Sequence, residues 1–422
     1  MPPSAPDPSV GDGSTTEASG FAERIGANPE VLALSFARLG DAIGNSILFV
    51  VIPLYVAKLP APWFPLPETV RVGILISLYG LINALCQPVG GFLTDHFNRR
   101  KLFIQLGLVL MGGGTLAFAF ASRFTHLLVL RALQGVGVAL TIPASMAIMA
   151  ASTVKQSRGG SMGVYSSMRM VGFASGPLLG GFLYDHFGFD AAFYVGTGFV
   201  VLALCLVQLW VKDTPAALPT GAKRKASLFD RRLLTPAILG LGVATFVMAA
   251  SFSMMTTLEK QFNERLQETA FAFGVAFSAL MVSRLIFQIP LGHLSDRIGR
   301  KPLILWGLVF LAVATAPLGL VASTAELTAL RIVQGAASAG VAAPAFALAA
   351  DLARTGGEGR QMSFITMGFG LGLALGPLTA GIFATVFFNL PFLMAGAAAL
   401  LGALVVWRYV PETVRRKAPH PS

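Results

Sequence analysis

The chain has 422 residues, of which 55% are hydrophobic and only 12% are charged, and its mean hydropathy is +0.71. A water-soluble protein of this length needs far more charge on its surface, so the composition excludes that class and predicts a protein surrounded by lipid. The net charge of +11 does not indicate nucleic-acid binding, because the basic residues lie between apolar stretches, as topology signals do.

The N-terminal segment, residues 1–30, is rich in Pro, Ser, Gly and acidic residues. It lacks the basic-then-apolar order of a signal peptide, so we predict a disordered cytoplasmic tail. A membrane-spanning helix needs about 20 apolar residues. Six such stretches predict an N-terminal bundle over residues 31–211, with spans near 31–57, 70–93, 102–121, 126–151, 161–184 and 191–211.

A charged segment, residues 212–235, follows this bundle and is predicted to be a cytoplasmic linker. Six further apolar stretches predict a C-terminal bundle over residues 236–409, with spans near 236–258, 268–293, 303–322, 325–350, 360–385 and 390–409. Residues 410–422 are predicted to form a second cytoplasmic tail.

Lys and Arg are distributed unequally between the two sides that these spans define. If the N-terminus is cytoplasmic, the cytoplasmic segments carry about four times as many basic residues as the outer segments. The positive-inside rule therefore predicts a multi-pass protein of the cell (inner) membrane whose two termini are both cytoplasmic.

The two bundles resemble each other at an offset of about 200 residues. Three segments recur in the same order, residues 87–100 as 288–301, residues 131–135 as 331–335, and residues 172–177 as 372–377. Two parallel six-helix halves that hold a substrate between them are a known transporter architecture. We therefore predict an all-α membrane protein with twelve transmembrane helices in two pseudo-symmetric six-helix bundles.

An acidic residue followed by arginines occurs in the loop after the second span and again after the eighth. The residues concerned are Gly91, Asp95, Arg99 and Arg100 in the first copy, and Gly292, Asp296, Arg297 and Arg300 in the second. An aspartate beside arginines at a helix end can form a charge cluster that keeps a gate closed at the membrane surface. The alternative is that these charges only end the helices.

The fifth span contains three glycines at four-residue spacing. A proline follows the second of them, and a fourth glycine directly follows the third. These residues are Gly172, Gly176, Pro177, Gly180 and Gly181. Glycines four apart form a smooth stripe on one helix face, which allows another helix to pack closely. The proline can kink the helix.

Two charged residues lie deep within predicted spans, Asp41 in the first and Arg131 in the fourth. Burial in hydrocarbon favours the neutral form of a carboxylic acid, so Asp41 is a candidate for reversible protonation. The alternative is a permanent ion pair with Arg38, Arg131 or Arg169 that only holds helices together. An arginine within a span usually faces a cavity or a partner, although Arg131 could also simply bond to backbone carbonyls.

Together these segments resemble the major facilitator superfamily, and within it the twelve-span drug:proton antiporters, over roughly residues 31–408. The resemblance implies a cytoplasmic gate at the two acidic-basic loops and a role of Arg131 in proton transfer. It also implies antiport rather than symport, because antiporters carry the glycine pattern of the fifth span. The segment around Asp41 resembles the first span of tetracycline-type exporters, which supports a role of Asp41 in proton coupling.

The first gate loop departs from the family pattern at two positions. His96 stands where a strong base is usual, and Asn98 stands where glycine is usual. Asparagine tolerates a left-handed turn, so the shape of the loop can survive.

The resemblance further implies that the first, fourth, seventh and tenth spans line a central cavity. Candidate cavity residues on these spans are Asn45, Gln134, Met248, Phe252, Met255, Arg331 and Gln334. Flexible Met and Phe side chains suit varied apolar ligands, although most such residues in a membrane helix simply face lipid.

We therefore predict a proton-driven exporter of small, fairly apolar, drug-like compounds that works by alternating access of one cavity. A symporter or uniporter for a polar metabolite or organic anion is the alternative, suggested by arginines within the spans, Arg131, Arg169, Arg284 and Arg331. A membrane sensor or lipid-handling protein on the same scaffold is a third hypothesis, and it predicts no solute flux.

Enzyme and cofactor signatures are missing from the sequence. There is no phosphate-binding loop, and the histidines have no metal-ligand spacing. We expect a small-molecule substrate, protons and the lipid bilayer as partners, without nucleic acid, cofactor or metal, and a monomeric state.

Overall fold

The computed structural model describes residues 29–97, 99–153, 158–212, 235–352 and 358–413. Within these ranges all regular elements are helices, and there is no strand. The helices are α1 (Pro29–Lys58), α2 (Glu68–Phe97), α3 (Arg100–Phe118), α4 (Phe124–Ser152), α5 (Arg158–Trp210), α6 (Pro236–Ser253), α7 (Glu259–Leu266), α8 (Ala270–Ile298), α9 (Arg300–Thr315), α10 (Thr324–Leu352), α11 (Glu358–Phe383) and α12 (Leu390–Tyr409). The predicted tails and linker lie almost entirely outside the described residues.

Eleven of the described helices are long and apolar enough to cross a membrane, all except α7. One of them, α5, has 53 residues and would be about 80 Å long if straight, far more than a bilayer core of about 30 Å. At Gly188 the backbone φ of +80° interrupts it. Glycine adopts this conformation without steric cost.

The contacts of α5 with α1 show that the chain turns back at this break. Before it, Gly172 lies against Ala42; after it, Ala203 lies against Gly40, one turn or less away on α1. The two parts of α5 therefore cross the membrane in opposite directions. The described chain thus makes twelve crossings, which confirms the predicted fold class.

The second half of the chain repeats the polar contacts of the first. Arg100 at the start of α3 donates to the carbonyl oxygen of Ala147 at 3.2 Å, and Arg300 at the start of α9 donates to that of Ala347 at 2.5 Å. Arg300 follows Arg100 by the same number of positions as Ala347 follows Ala147. The six-helix halves, α1–α5 and α6–α12, are therefore related in structure as well as in sequence.

We call the side of the bundle where α1 begins and α12 ends the terminal side, and the opposite side the distal side. The basic-residue bias predicts that the terminal side is cytoplasmic. The halves meet mainly where α2 packs on α11 and α5 packs on α8. Gly73 lies against Pro377 in the first of these contacts, and Gly274 lies against Pro177 in the second. All four lie in the distal parts of their helices, so the described conformation is closed on the distal side.

One element was not predicted from the sequence. This element is the short helix α7, which stands between the seventh and eighth spans and follows a 3-10 turn (Met254–Thr257) that continues directly from α6. This segment packs against the distal ends of other helices. Met254, Met255 and Phe262 share a hydrophobic cluster with residues of α1, α8 and α12.

Candidate functional site

The carboxylate of Asp41 lies in the interior of the first half, on α1, and only 2% of the residue is exposed. It forms an ion pair with Arg38, one turn earlier on the same helix. Its second oxygen, Oδ1, has no hydrogen-bond partner among the described residues. Of the three ion-pair partners considered from the sequence, the structure pairs Asp41 with Arg38.

The surroundings of this pair are polar and aromatic. Arg169 of α5 and Tyr79 of α2 lie within electrostatic reach of Asp41, and the guanidinium of Arg38 lies 5.9 Å from the ring centre of Tyr165. A cavity of about 10 Å³, enough for about one water molecule, adjoins the pair. Its lining includes Leu34, Ala37, Arg38, Asp41, Thr141, Ser145 and Tyr165. The lining thus places the hydroxyl groups of Thr141, Ser145 and Tyr165 at the same cavity as the carboxylate.

Arg131 lies on α4 and is almost fully buried. It donates to Oε1 of Gln134 at 3.0 Å, and Gln134 in turn donates to the hydroxyl of Thr115 at 2.9 Å. The guanidinium lies 5.2 Å from the ring centre of Tyr79, whose hydroxyl accepts a hydrogen bond from Asn45. Arg131 and the Asp41 pair thus share Tyr79 as a neighbour; the role of Arg131 in proton transfer stays a prediction.

The same arginine–glutamine–threonine arrangement recurs in the second half. Arg331 donates to Gln334 at 2.7 Å, and Gln334 donates to the hydroxyl of Thr315 at 3.0 Å. The amide oxygen of the glutamine satisfies part of a buried charge that would otherwise be costly. Since both halves contain the arrangement, it is part of the repeated framework.

The carboxylate of Asp41, in contrast, has no equivalent in the second half. Ser46 on α1 donates to the carbonyl oxygen of Gly172, and Ser253 on α6 donates to that of Gly372, so the two serines are equivalent. Five positions before each serine stand Asp41 and Met248. The symmetric scaffold therefore carries a protonatable group in its first half where its second half has an apolar side chain.

Between the halves, five phenylalanine rings from five helices form an aromatic cluster. They are Phe49, Phe173, Phe252, Phe277 and Phe369. Phe49 stacks on Phe173 with ring centres 5.7 Å apart and lies 5.9 Å from Phe277, while Phe252 and Phe369 are 6.3 Å apart. The cluster presents apolar, polarisable faces where the halves meet.

Three guanidinium groups surround this aromatic cluster. Arg169 lies 5.1 Å from the ring centre of Phe173, and Arg331 lies 5.1 Å from that of Phe277. Arg284 lies 5.6 Å from the ring centres of both Phe252 and Phe369. These distances are typical of cation–π contacts. None of the ion pairs of the described residues includes these three arginines.

The predicted cavity residues have different surroundings in this conformation. Phe252 belongs to the aromatic cluster, while Asn45, Gln134, Arg331 and Gln334 belong to the buried hydrogen-bonded groups described above. Met248 and Met255 are fully packed within hydrophobic clusters. Sequence reasoning missed Phe49, Phe173, Phe277 and Phe369, because phenylalanine is common in membrane helices and has no local signal of clustering.

The glycine pattern of α5 has two sets of contacts. At Gly176 an added Cβ would lie 2.9 Å from Cβ of Ser46, and at Gly180 it would lie 2.7 Å from the carbonyl oxygen of Ile47, so these glycines allow α5 to pack on α1. Gly181 faces the other half, where an added Cβ would lie 2.5 Å from the carbonyl oxygen of Ala270. The pattern therefore supports packing within the first half and contact with the second.

The predicted gate loops lie at the terminal ends of α2 and α8. In the second copy, Arg300 forms ion pairs with Asp296, at 3.4 Å, and with Asp351 at the end of α10. The backbone N–H groups of Arg300 and Lys301 donate to Glu412, beyond α12. These bonds join four segments of the second half at the membrane surface.

The first gate loop is described only in part. The side chain of Asp95 and the whole of residue 98 lie outside the described part of the structure. Arg99 is exposed, as is Arg297 in the second loop, and a Cβ added at Gly91 or Gly292 would stand at ordinary van der Waals distance from Cβ of Pro143, at 3.8 Å, or of Ala343, at 3.9 Å. The gate role of the two loops stays a prediction.

Comparison with protein families gives one match that covers nearly the whole chain. A family model described as Major Facilitator Superfamily matches residues 34–277 and 241–422. Among curated proteins, a multi-drug resistance efflux pump PmrA homolog of Lactococcus lactis subsp. lactis is 27% identical over 346 residues, covering 80% of this chain and 84% of that protein. The multidrug resistance protein MdtG of Salmonella paratyphi B is 25% identical over 376 residues, covering 86% and 90%.

Solved structures share the fold at lower identity. A bacterial homolog of the human lysosomal transporter Spinster, inward-facing and occupied, has a TM-score of 0.76 at 15% identity, covering 90% of this chain and 97% of that one. A D-xylose-proton symporter has a TM-score of 0.75 at 16% identity, covering 92% and 99%. At these identities the likeness extends to the fold alone.

Proposed function

Since the chain belongs to the major facilitator superfamily and is a transporter rather than an enzyme, we propose that it exports small, fairly apolar compounds in exchange for protons. The observation that carries the proposal is the buried ion pair of Asp41 and Arg38 on α1. It provides one protonatable group inside the membrane, on a helix that packs against the glycine pattern of α5.

The aromatic cluster supports the substrate class. Five phenylalanine rings between the halves offer dispersion and stacking contacts to apolar compounds without demanding one hydrogen-bond pattern. The curated relatives at 27% and 25% identity are multidrug efflux proteins by name, which agrees with such a site.

The proposed coupling step follows from the ion pair. A proton that binds Asp41 removes its negative charge and leaves Arg38 without a counter-ion in a buried setting. An uncompensated buried charge is costly, so protonation favours a rearrangement of α1 that lets Arg38 reach another partner or water. Alternating access then consists of movement of the halves about the aromatic cluster.

The experiment is dye flux in everted membrane vesicles with an imposed pH gradient. The wild type is expected to take up a lipophilic dye when the vesicle interior is acidic. Asp41→Asn is expected to abolish gradient-driven uptake, because an amide cannot bind and release a proton at these pH values. Dye exchange at equal pH on both sides serves as the control, and we expect the variant to retain it. Gradient-driven uptake that persists in Asp41→Asn would show that Asp41 is not the coupling group.

A second candidate function is the transport of an organic anion by symport or uniport. It is favoured by Arg169, Arg284 and Arg331, which surround the aromatic cluster without ion pairs among the described residues. This function predicts that intact cells accumulate an aromatic carboxylate in proportion to expression, whereas export predicts reduced accumulation.

A further inference from the structure

The distal seam between the halves is closed by polar contacts in addition to packing. Lys260 of α7 forms an ion pair with Glu68 at the start of α2, at 2.8 Å. The carboxylate of Asp185 on α5 accepts hydrogen bonds from the backbone N–H groups of Ala270 and Phe271, which begin α8. An acid at this position satisfies N–H groups that the helix leaves free. The segment containing α7 therefore lies at the seam that opening towards the distal side must break.

Glu259, the first residue of α7, is buried at this seam with 0% of its surface exposed. Leu258 and Phe262 belong to the hydrophobic cluster around it. One carboxylate oxygen, Oε1, accepts a hydrogen bond from Asn263 at 3.2 Å. The other oxygen, Oε2, has no hydrogen-bond partner among the described residues.

No cation compensates this carboxylate in the part of the chain that the structure describes. The neighbouring Lys260 points to Glu68 and Glu264, at 2.8 and 3.7 Å. Lys58, at the distal end of α1, lies over the ring of Phe189 at 4.5 Å. Arg265 on α7 lies over the ring of Phe388 at 4.4 Å.

The remaining ionisable groups around Glu259 supply no positive charge to pair with it. Tyr184 and Asp185 of α5 face it, and Asp185 repels a negative charge on Glu259. Burial, reinforced by Asp185 and only partly offset by the hydrogen bond from Asn263, raises the pKa of Glu259 well above its ordinary value.

The two buried acids among the described residues thus differ. Asp41 has Arg38 as a counter-ion, whereas Glu259 has only an amide as its bonded partner. A buried carboxyl group without a counter-ion is stable only when it carries a proton. Separation of the halves at the distal seam would expose Glu259 to water and restore its ordinary acidity.

We propose that Glu259 is a proton-binding site of the distal gate, which takes up a proton from the distal medium when the gate closes and releases it there when the gate opens. This inference rests on the proposed transport function, because that function requires the protein to alternate between a state closed and a state open on the distal side. It does not rest on the coupling role of Asp41. The proton adds to a carboxylate oxygen on closure and returns to the same side on opening, so this site regulates the gate and carries no net proton flux.

The sign of the pH dependence follows from linkage. The closed state binds the proton more tightly, so low distal pH favours closure and rising pH favours opening. Between the ordinary pKa and the raised pKa, the ratio of open to closed molecules is expected to rise about tenfold for each pH unit, as binding of one proton requires.

The test is a distance measurement across the distal side of the purified full-length protein, by pulsed electron resonance between two spin labels. Trp63, in the loop between α1 and α2, and Leu320, at the end of a 3-10 turn after α9, are exposed on the distal side, and Trp63→Cys with Leu320→Cys provides the label sites. Cys86→Ser and Cys205→Ser remove the free cysteines first. The parent is expected to shift from short to long distances as pH rises.

The decisive variant is Glu259→Gln, which keeps the shape of the side chain and removes its ability to bind and release a proton. It is expected to stay at short distances over the whole pH range. Glu264→Gln is the matched control, since it removes an exposed carboxylate from the same helix and is expected to retain the parental pH dependence. A Glu259→Gln protein with the parental pH dependence would overturn the proposal.

A second variant guards against loss of folding. Glu259→Asp retains a carboxyl group, and we expect it to keep a pH-dependent distance change. A pH-independent Glu259→Asp protein would contradict the proposal. The measurement uses no substrate, so its failure is distinguishable from a failure of proton-driven dye export.

Discussion

At the scale of single residues, three arginines within the membrane differ in their bonding. Arg131 and Arg331 each bond to a glutamine in the same geometry, which identifies them as parts of the repeated framework. Arg284 has no equivalent bond among the described residues, and its guanidinium lies over the rings of Phe252 and Phe369. A charge with aromatic faces as its neighbours can still attract the anionic group of a ligand.

Arg284 is therefore expected to discriminate between ligands by charge. Arg284→Gln should weaken the transport of an aromatic carboxylate about tenfold or more, because a hydrogen bond to a charged group contributes about 1.5–3 kcal/mol. The neutral amide of the same compound should be transported as by the wild type. Flux of both probes in vesicles is the measurement, with Arg123→Gln, at an exposed arginine just before α4, as the control. An equal loss for both probes would mean that Arg284 only supports helix packing.

At the scale of elements, the close approach of α5 to α1 depends on small side chains. Around Gly176, Cβ of Ser46 and the carbonyl oxygen of Ile43 stand 2.9 and 3.0 Å from the place of an added Cβ. Gly163, near the start of the same helix, has open space there. The same substitution should therefore have different effects at the two positions.

Gly176→Ala is expected to destabilise the protein by about 1–3 kcal/mol, since overpacking forces the two helices apart. Gly163→Ala is expected to leave stability nearly unchanged. Thermal unfolding of the detergent-solubilised protein measures both. If the two variants unfold at the same temperature, the glycine pattern does not set the distance between α1 and α5.

At the scale of the whole molecule, the balance between the two sides depends on the distal seam. Lys260 and Glu68 form their ion pair across the halves, with 30% and 24% of their side chains exposed. A partly exposed pair of this kind stabilises by about 0.2–1 kcal/mol. It therefore tunes the equilibrium between open and closed states without controlling it.

Glu68→Gln is expected to raise the ratio of open to closed molecules by about 1.5- to 5-fold on the distal side. The exchange of both charges, Lys260→Glu with Glu68→Lys, should restore the ratio in part. Distances between the distal spin labels measure both proteins, and high salt should reduce the difference between them. A double variant as open as the single one would show that these charges do not interact across the seam.

The sequence by itself determined the membrane-spanning helices, their pseudo-repeat and the family, because hydropathy and repeated motifs are properties of short segments. It also located Asp41 and Arg131 inside spans. It left open which of three arginines pairs with Asp41.

Only the tertiary structure decided which distant residues meet. It paired Asp41 with Arg38, gathered five phenylalanines from five helices and buried Glu259 at the distal seam. Glu259 stands in a polar stretch that reads as an exposed loop, and its burial depends on helices that are far away in sequence. Hydropathy records how apolar a segment is, whereas the chemistry of this transporter depends on contacts between segments, which only the packed fold creates.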